Sequence, residues 1–287
     1  MVLTGPPPSM NTQTQCRTMA STERQFDVSK LGSHGESRTE DVVAVELPLS
    51  ILISSLDDSK SMGITMRTPG RDRELALGFL YSEGLINRIS EVSEIKASSD
   101  SIEVICSNVD RVILNDYNRI STITSSCGIC GKDSISSMLH IHGPKLNRGP
   151  QISMKTIESS VKNLRKNQPL FNSTGGSHAS AIASINGDII HLEEDVGRHN
   201  ALDKVIGHSF KNSVFDTKNQ FIACSGRLSF ELVQKSLMAN IGLLMGVGAP
   251  TSLAIDLAKR SHMTLIGFVK SDSFNIYCGE NRILKTN

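Results

Sequence analysis

Two cysteines separated by two residues, Cys127 and Cys130, stand in Thr124-Ser125-Ser126-Cys127-Gly128-Ile129-Cys130-Gly131-Lys132. Their neighbours are small and polar, which argues against core packing and for chemistry. Thiols at this spacing can chelate a soft metal, cycle as a disulfide, or carry a sulfur atom. The thiolate is the reactive form, and positive charge or a helix N-terminus favours it. Lys132 supplies charge, and a short helix over 133–140 would turn its positive end toward the loop. Zinc would need two more ligands. His140 and His142 are candidates, but their spacing suits a zinc finger poorly. A thioredoxin-like pair would require a preceding strand that the sequence lacks.

Polar and glycine residues also crowd several turns between strands and helices. Glu193-Glu194-Asp195-Val196-Gly197-Arg198-His199-Asn200 precedes an apolar helical pattern. Arg198 can grip phosphate or carboxylate through its fork, and His199 can exchange protons. Capping by Asp195 or Asn200 is the plainer alternative. Cys224-Ser225-Gly226-Arg227-Leu228-Ser229 can cradle an anion with backbone N–H groups, with Arg227 adding charge. Cys224 itself reads as a buried strand residue. Gly246-Val247-Gly248-Ala249-Pro250-Thr251-Ser252 reads equally well as a tight turn with a helix cap or as a ligand contact. Gly267-Phe268-Val269-Lys270-Ser271-Asp272-Ser273 can meet a nucleotide or phosphate, though the sequence alone favours an ordinary exposed turn.

The elements that would hold these turns follow from apolar periodicity. Residues 1–40 are rich in Ser, Thr, Pro and Gln without a period and read as a disordered tail. A small α+β unit is expected over 41–125. It has strands at 42–49 and 64–68, a helix from Asp72 to Ile86, and a hairpin of 102–106 with 111–114. Residues 126–150 form the cysteine loop and its connection. Residues 151–287 alternate strands and helices as an α/β domain. Ser153 caps a helix over 154–167, and Asn186-Gly187 turns a hairpin between 179–185 and 188–192. Further helices are expected over 199–210, 229–244 and 251–260, and strands over 221–224, 264–269 and 274–277. Ligands of such sheets sit beyond the carboxyl ends of strands.

Composition narrows the classes. Net charge is +1 and Trp is absent, so no general affinity for nucleic acid is expected. No apolar run approaches the roughly 20 residues that span a bilayer, so no membrane partner is expected. Six cysteines in 287 residues are too sparse for a disulfide scaffold and suit a reducing, cytoplasmic setting. No secretory signal is recognisable at the start.

Taken together, these residues resemble the FdhD family of sulfur carriers required by formate dehydrogenase, over roughly residues 40–287. The resemblance is carried by Met66-Arg67-Thr68-Pro69-Gly70, Leu75-Ala76-Leu77-Gly78-Phe79-Leu80, Ser82-Glu83-Gly84, Ser126-Cys127-Gly128-Ile129-Cys130-Gly131, Glu194 through Lys204, Ser225-Gly226-Arg227 and Gly248-Ala249-Pro250-Thr251-Ser252. It implies a sulfurtransferase that takes persulfide sulfur from a cysteine desulfurase and passes it to the molybdenum cofactor, in its bis-guanine dinucleotide form, for formate dehydrogenase. It also implies an α/β chain with a three-layer cytidine-deaminase-like larger domain, and a homodimer. Cys127 would form the persulfide, with Cys130 as its partner. Phe268, Val269, Lys270, Ser271, Asp272 and Ser273 would meet the cofactor nucleotide, with Arg198, His199 and Arg227 beside them. The deaminase zinc pattern, His-x-Glu with Pro-Cys-x-x-Cys, is not present as such: Ser126 precedes Cys127. Neither zinc nor deamination is expected. The reading from a different class is a non-catalytic chaperone that holds the molybdenum cofactor and docks it onto the dehydrogenase.

Overall fold

The structure is a computed structural model that describes residues 21–33, 35–55, 59–107, 146, 149–213 and 215–284. Cys127, Cys130, the helix expected over 133–140 and the strand expected at 111–114 lie outside the described residues.

The disordered-tail reading fails from Glu23 onward. Strands β1 (Glu23–Gly32) and β2 (Gly35–Ala44) pair antiparallel from Glu23↔Ala44 to Gly32↔Gly35. Most residues of this ribbon are exposed, on both faces, and none is buried. With no core to face, the strands need no apolar alternation, so the usual period-2 signal is missing.

The smaller unit has β3 (Leu47–Ser54), β4 (Ser59–Arg67), β5 (Val92–Ala97) and β6 (Ser101–Cys106) in the order β4-β3-β6-β5. Leu49, Ile51 and Ile53, with Ile102, Val104 and Cys106, alternate onto one buried face. Helix α1 (Asp72–Ser82) covers it with Leu75, Leu77 and Leu80. Several expected boundaries move. The run 42–49 is split between β2 and β3, and β6 pairs with β3 and β5. Helix α1 stops at Ser82, before the left-handed Gly84 (φ 73°). Asp72 does not cap it. Its two carboxylate oxygens accept from the buried Arg67 guanidinium at 2.8 and 2.9 Å.

The larger unit begins with β7 (Ile152–Ser153), α2 (Met154–Lys166), α3 (Pro169–Thr174), β8 (His178–Ser184) and β9 (Ile189–Asp195). It continues through α4 (Arg198–Asn212), β10 (Gln220–Cys224), α5 (Phe230–Met238), β11 (Leu243–Gly246) and α6 (Ser252–Arg260), then β12 (Thr264–Gly267), β13 (Asn275–Cys278) and β14 (Ile283–Leu284). The Ser153 hydroxyl does cap α2, accepting from Thr156 N–H at 3.1 Å. Gly187 does turn the β8–β9 hairpin (φ 90°). The helix expected over 229–244 is instead α5 followed by β11. Ile241, Leu243, Leu244 and Met245 are all buried, and a short all-apolar run has the same period whether strand or helix.

The main sheet runs β13-β12-β11-β10-β8-β9, with β10, β11 and β12 parallel. Successive residues of β10 feed different cores. Phe221 and Ala223 pack with Ile157 and Leu164 of α2. Ile222 and Cys224 pack with Leu202 and Val205 of α4, Leu232 of α5 and Leu257 of α6. Helices therefore lie against both faces of this sheet.

The two units join where α1 crosses α4. A Cβ on Gly78 would lie 1.8 Å from the Asp203 carbonyl oxygen, and one on Gly207 would lie 1.8 Å from that of Glu74. The helices meet backbone to backbone, which only glycine allows. Beside the crossing, the buried Lys235 ammonium bridges Asp203 (2.9 Å) and Glu83 (3.8 Å), tying α5 to both helices.

Candidate functional site

The parallel strands β10, β11 and β12 end at Cys224, Gly246 and Gly267, and the loops that follow stack on one another. Gly248 N–H donates to the Gly226 carbonyl at 3.2 Å, and Phe268 N–H to the Gly248 carbonyl at 3.2 Å. No side chain fits between them: a Cβ on Gly248 would come within 2.7 Å of the Gly226 oxygen, and one on Gly267 within 2.9 Å of Pro250 Cδ. The turns singled out in the sequence thus converge at the carboxyl edge of the sheet, where doubly wound sheets bind ligands.

The antiparallel β8 and β9 bring His178 and Asp195 to the same edge, where they pair in register. Ser225 locks this corner, its hydroxyl accepting from Ala179 N–H at 2.8 Å. The Gly226 backbone then lies against His178 and Arg198: a Cβ there would be 3.2 Å from His178 Nδ1 and 3.7 Å from Arg198 Cβ.

Arg198 and His199 open α4, and the strand-to-helix turn beneath them is held by buried groups. Asp195 Oδ1 accepts from Gly197 N–H at 2.8 Å and Asn200 Nδ2 at 3.2 Å, while Oδ2 accepts from Thr68 N–H at 3.1 Å. Lys204 lies 2.8 Å from Oδ2 and also donates to the Thr68 and Glu194 carbonyls. Asn200 Nδ2 donates to Met66 O at 2.7 Å. Asp195, Asn200 and Lys204 therefore build the turn rather than touch a ligand. The capping alternative is corrected in detail: Gly197 is the N-cap of α4 and no side chain caps it.

His199 Nε2 is 3.1 Å from Ser229 Oγ and 3.7 Å from Glu231 Oε2 at the start of α5. The His199 imidazole, with the Ser229 hydroxyl, draws the Glu231 carboxyl down to about 2 despite partial burial. His178 lies below its ordinary value, first because it is partly buried and then because Arg198, His199 and Arg227 add positive charge. The edge thus presents two imidazoles in contrasting surroundings, one among cations and one beside a carboxylate.

Of the nominated residues, Arg198 and His199 are half-buried and Arg227 is exposed, and they share this edge. Phe268 is exposed in a left-handed conformation (φ 53°), and Lys270, Ser271, Asp272 and Ser273 form an exposed turn closed by Lys270 N–H to Ser273 O at 2.8 Å. Val269 differs: its side chain packs in the core. Cys127 and Cys130 lie outside the described residues. Cys224 is buried as expected, and burial pushes its thiol up to about 11, so it is inert. The sequence reading missed His178 and Glu231. His178 opens an apolar strand with no flanking motif. Glu231 becomes visible only through its pairing with His199, 32 positions earlier in the numbering.

His-x-Glu occurs in the sequence at His34-Gly35-Glu36 and, within the described residues, at His191-Leu192-Glu193. The His191 imidazole bonds Glu193 at 2.9 Å and stacks on His208 with ring centres 3.5 Å apart. Among the described residues no group of three or more His, Cys, Asp or Glu could hold a metal ion, and no helix is long and apolar enough to cross a membrane.

Residues 44–284 match the model of the FdhD/NarQ family. The chain is 39% identical over 265 residues to the "Sulfur carrier protein FdhD" of Sulfurisphaera tokodaii, covering 91% of this chain and 99% of that one. It is 40% identical over 261 residues to the protein of that name from Sulfolobus acidocaldarius, covering 91% and 98%. The fold is similar to the crystal structure of a candidate formate dehydrogenase accessory protein from Desulfotalea psychrophila, with a TM-score of 0.73 and 25% identity, covering 92% of this chain and 100% of that one. A match spanning the Arg198–His199 turn, the cysteine pair and the stacked glycine loops, at this identity and coverage, places the chain in the FdhD/NarQ family.

Proposed function

We propose that the chain is a sulfurtransferase that accepts persulfide sulfur from a cysteine desulfurase and delivers it to the molybdenum cofactor, in its bis-guanine dinucleotide form, for formate dehydrogenase. The observation that carries this reading is the convergence of Arg198, Arg227, His178, His199 and three stacked glycine loops on one sheet edge. Such an edge suits a large phosphorylated ligand: guanidinium groups and backbone N–H groups are the donors that phosphates require. The names carried by relatives of similar length support sulfur carriage as the task. Helices against both faces of the main sheet support a three-layer, cytidine-deaminase-like arrangement of the larger unit.

In this reading the Cys127 thiolate attacks the terminal sulfur of the donor persulfide. A new S–S bond forms on Cys127, the donor S–S bond breaks, and the donor leaves as a thiolate, so no outside oxidant or reductant enters. Cys130 is the partner thiol. Arg198, Arg227 and the exposed Phe268–Ser273 turn receive the nucleotide phosphates, and His199 exchanges protons beside them. The setting is cytoplasmic and the protein a homodimer, as in the family it resembles.

The test is intact mass after incubation with a cysteine desulfurase and cysteine. A reducible gain of one sulfur atom in the wild type, absent in Cys127→Ala, supports the carrier. No gain in the wild type, with an active donor, would transfer the assignment to a chaperone that only holds the cofactor.

A further inference from the structure

A cavity of about 440 Å³ opens at the other end of the main sheet, lined by Leu146, Lys259, His262, Met263, Cys278, Gly279, Asn281 and Arg282. It lies beside Thr264, where β12 begins, whereas the family site lies beyond Gly267, where β12 ends. Three residue steps along a strand separate those ends by about 10 Å. The cavity is therefore a separate place in the molecule, and its volume falls within the usual range for small-molecule sites, roughly 300–1,000 Å³.

Its lining has a one-sided charge. Lys259 and Arg282 contribute, and among the described residues no carboxylate lines it. Arg282 is the most informative. Its Nη1 donates to His262 O at 2.7 Å and Thr264 Oγ1 at 3.1 Å, both neutral acceptors. Its alkyl stem and Nε press on the Gly149 backbone so closely that a Cβ there would be 2.8 Å from Nε. Among the described residues no carboxylate lies within ion-pair distance of Arg282 or of Lys259. Partial burial lowers the Arg282 guanidinium from its ordinary value. A half-buried guanidinium is stabilised by an anion that meets it.

The chemistry of the lining selects the partner. Guanidinium, ammonium, carboxamide and imidazole groups can all donate hydrogen bonds, which suits a multiply charged oxyanion. Leu146 and Met263 belong to the core behind the cavity, and the volume exceeds what a bare oxyanion fills. Cys278 is a bystander: burial raises its thiol, which donates to Met263 O at 3.2 Å. We infer that this cavity binds a small organic phosphate, with Arg282 and Lys259 as the charged contacts.

The test is calorimetric titration of the full chain with inorganic phosphate, glycerol 3-phosphate and acetate at constant ionic strength. Saturable binding of the phosphates is expected, the ester binding more tightly. Lys259→Ala with His262→Ala is expected to weaken it about tenfold or more, as loss of charge-assisted hydrogen bonds implies. Both residues are exposed, and among the described residues neither side chain makes a hydrogen bond or ion pair, so the variant is expected to keep its structure, checked by its unfolding temperature. Because the carboxyl edge also carries cations, the titration is repeated in Arg198→Ala with Arg227→Ala, where binding at the cavity persists. Absence of saturable binding, acetate binding as tightly as the ester, or binding lost in the Arg198 and Arg227 variant but kept in the Lys259 and His262 variant would each overturn the assignment.

Discussion

The Lys204 ammonium sits 2.8 Å from the Asp195 carboxylate, and the two side chains are 2% and 0% exposed. This pair stands directly beneath Arg198 and His199 and joins α4 to the Thr68 backbone of the smaller unit. Removing one member strands a charge in the interior, so Lys204→Met is expected to cost about 3–5 kcal/mol. The double variant Asp195→Asn with Lys204→Met is expected to recover part of that loss. Urea unfolding of the three proteins measures both. A single variant as stable as the wild type would show that the pair does not hold the turn.

The α1–α4 crossing leaves no room for a methyl group at Gly78 or Gly207, because a Cβ would collide with the facing backbone. Overpacking against a flexible side chain costs about 1–3 kcal/mol, and backbone cannot yield as a side chain does. Gly78→Ala and Gly207→Ala are each expected to lose at least the upper end of that range or to fail to fold. Thermal unfolding checks this, and a wild-type midpoint for either variant would refute the close contact.

Arg198 and Arg227 are expected to bind the nucleotide portion of the proposed cargo. Replacing either with Ala should weaken binding of GMP about tenfold, the loss of one charge-assisted contact. Fluorescence or calorimetric titration reads it. Unchanged affinity in both variants would detach the nucleotide from this edge.

His178 makes a pH prediction. Burial and the nearby Arg198, His199 and Arg227 charges set it below the ordinary 6.5, so the folded chain resists its protonation. Below 6.5 the unfolded chain binds more protons at this position than the folded one. Its contribution to stability is whole above 6.5 and declines as pH falls toward the lower folded value. His178→Gln should flatten that acid limb of the urea midpoint against pH. Parallel curves for the two proteins would count against a neutral His178 at the edge.

The sequence was most legible where one face of an element is buried. The alternation of Leu49, Ile51 and Ile53, the capping Ser153 and the Asn186-Gly187 turn all announced structure that is present. Legibility failed where that contrast vanishes. The β1–β2 ribbon is exposed on both faces and looked like a tail. The Ile241–Met245 run is buried throughout and looked like helix. The site followed the same division. Arg198, His199, Arg227 and the glycine loops stood in dense local patterns, whereas Val269 proved to be core. His178 and Glu231 owe their roles to neighbours far away in the chain, which no local pattern encodes.

The glycines stacked at the sheet edge also have a mechanical consequence. Gly248 sets its backbone directly against that of Gly226 and Arg227, and Phe268 N–H bonds the Gly248 carbonyl, so the three loops are joined backbone to backbone. A molecule seating against Phe268 would press on the same stack that carries Arg227 and borders His178. A displacement of one loop would therefore have to break or carry the backbone hydrogen bonds that tie it to the next.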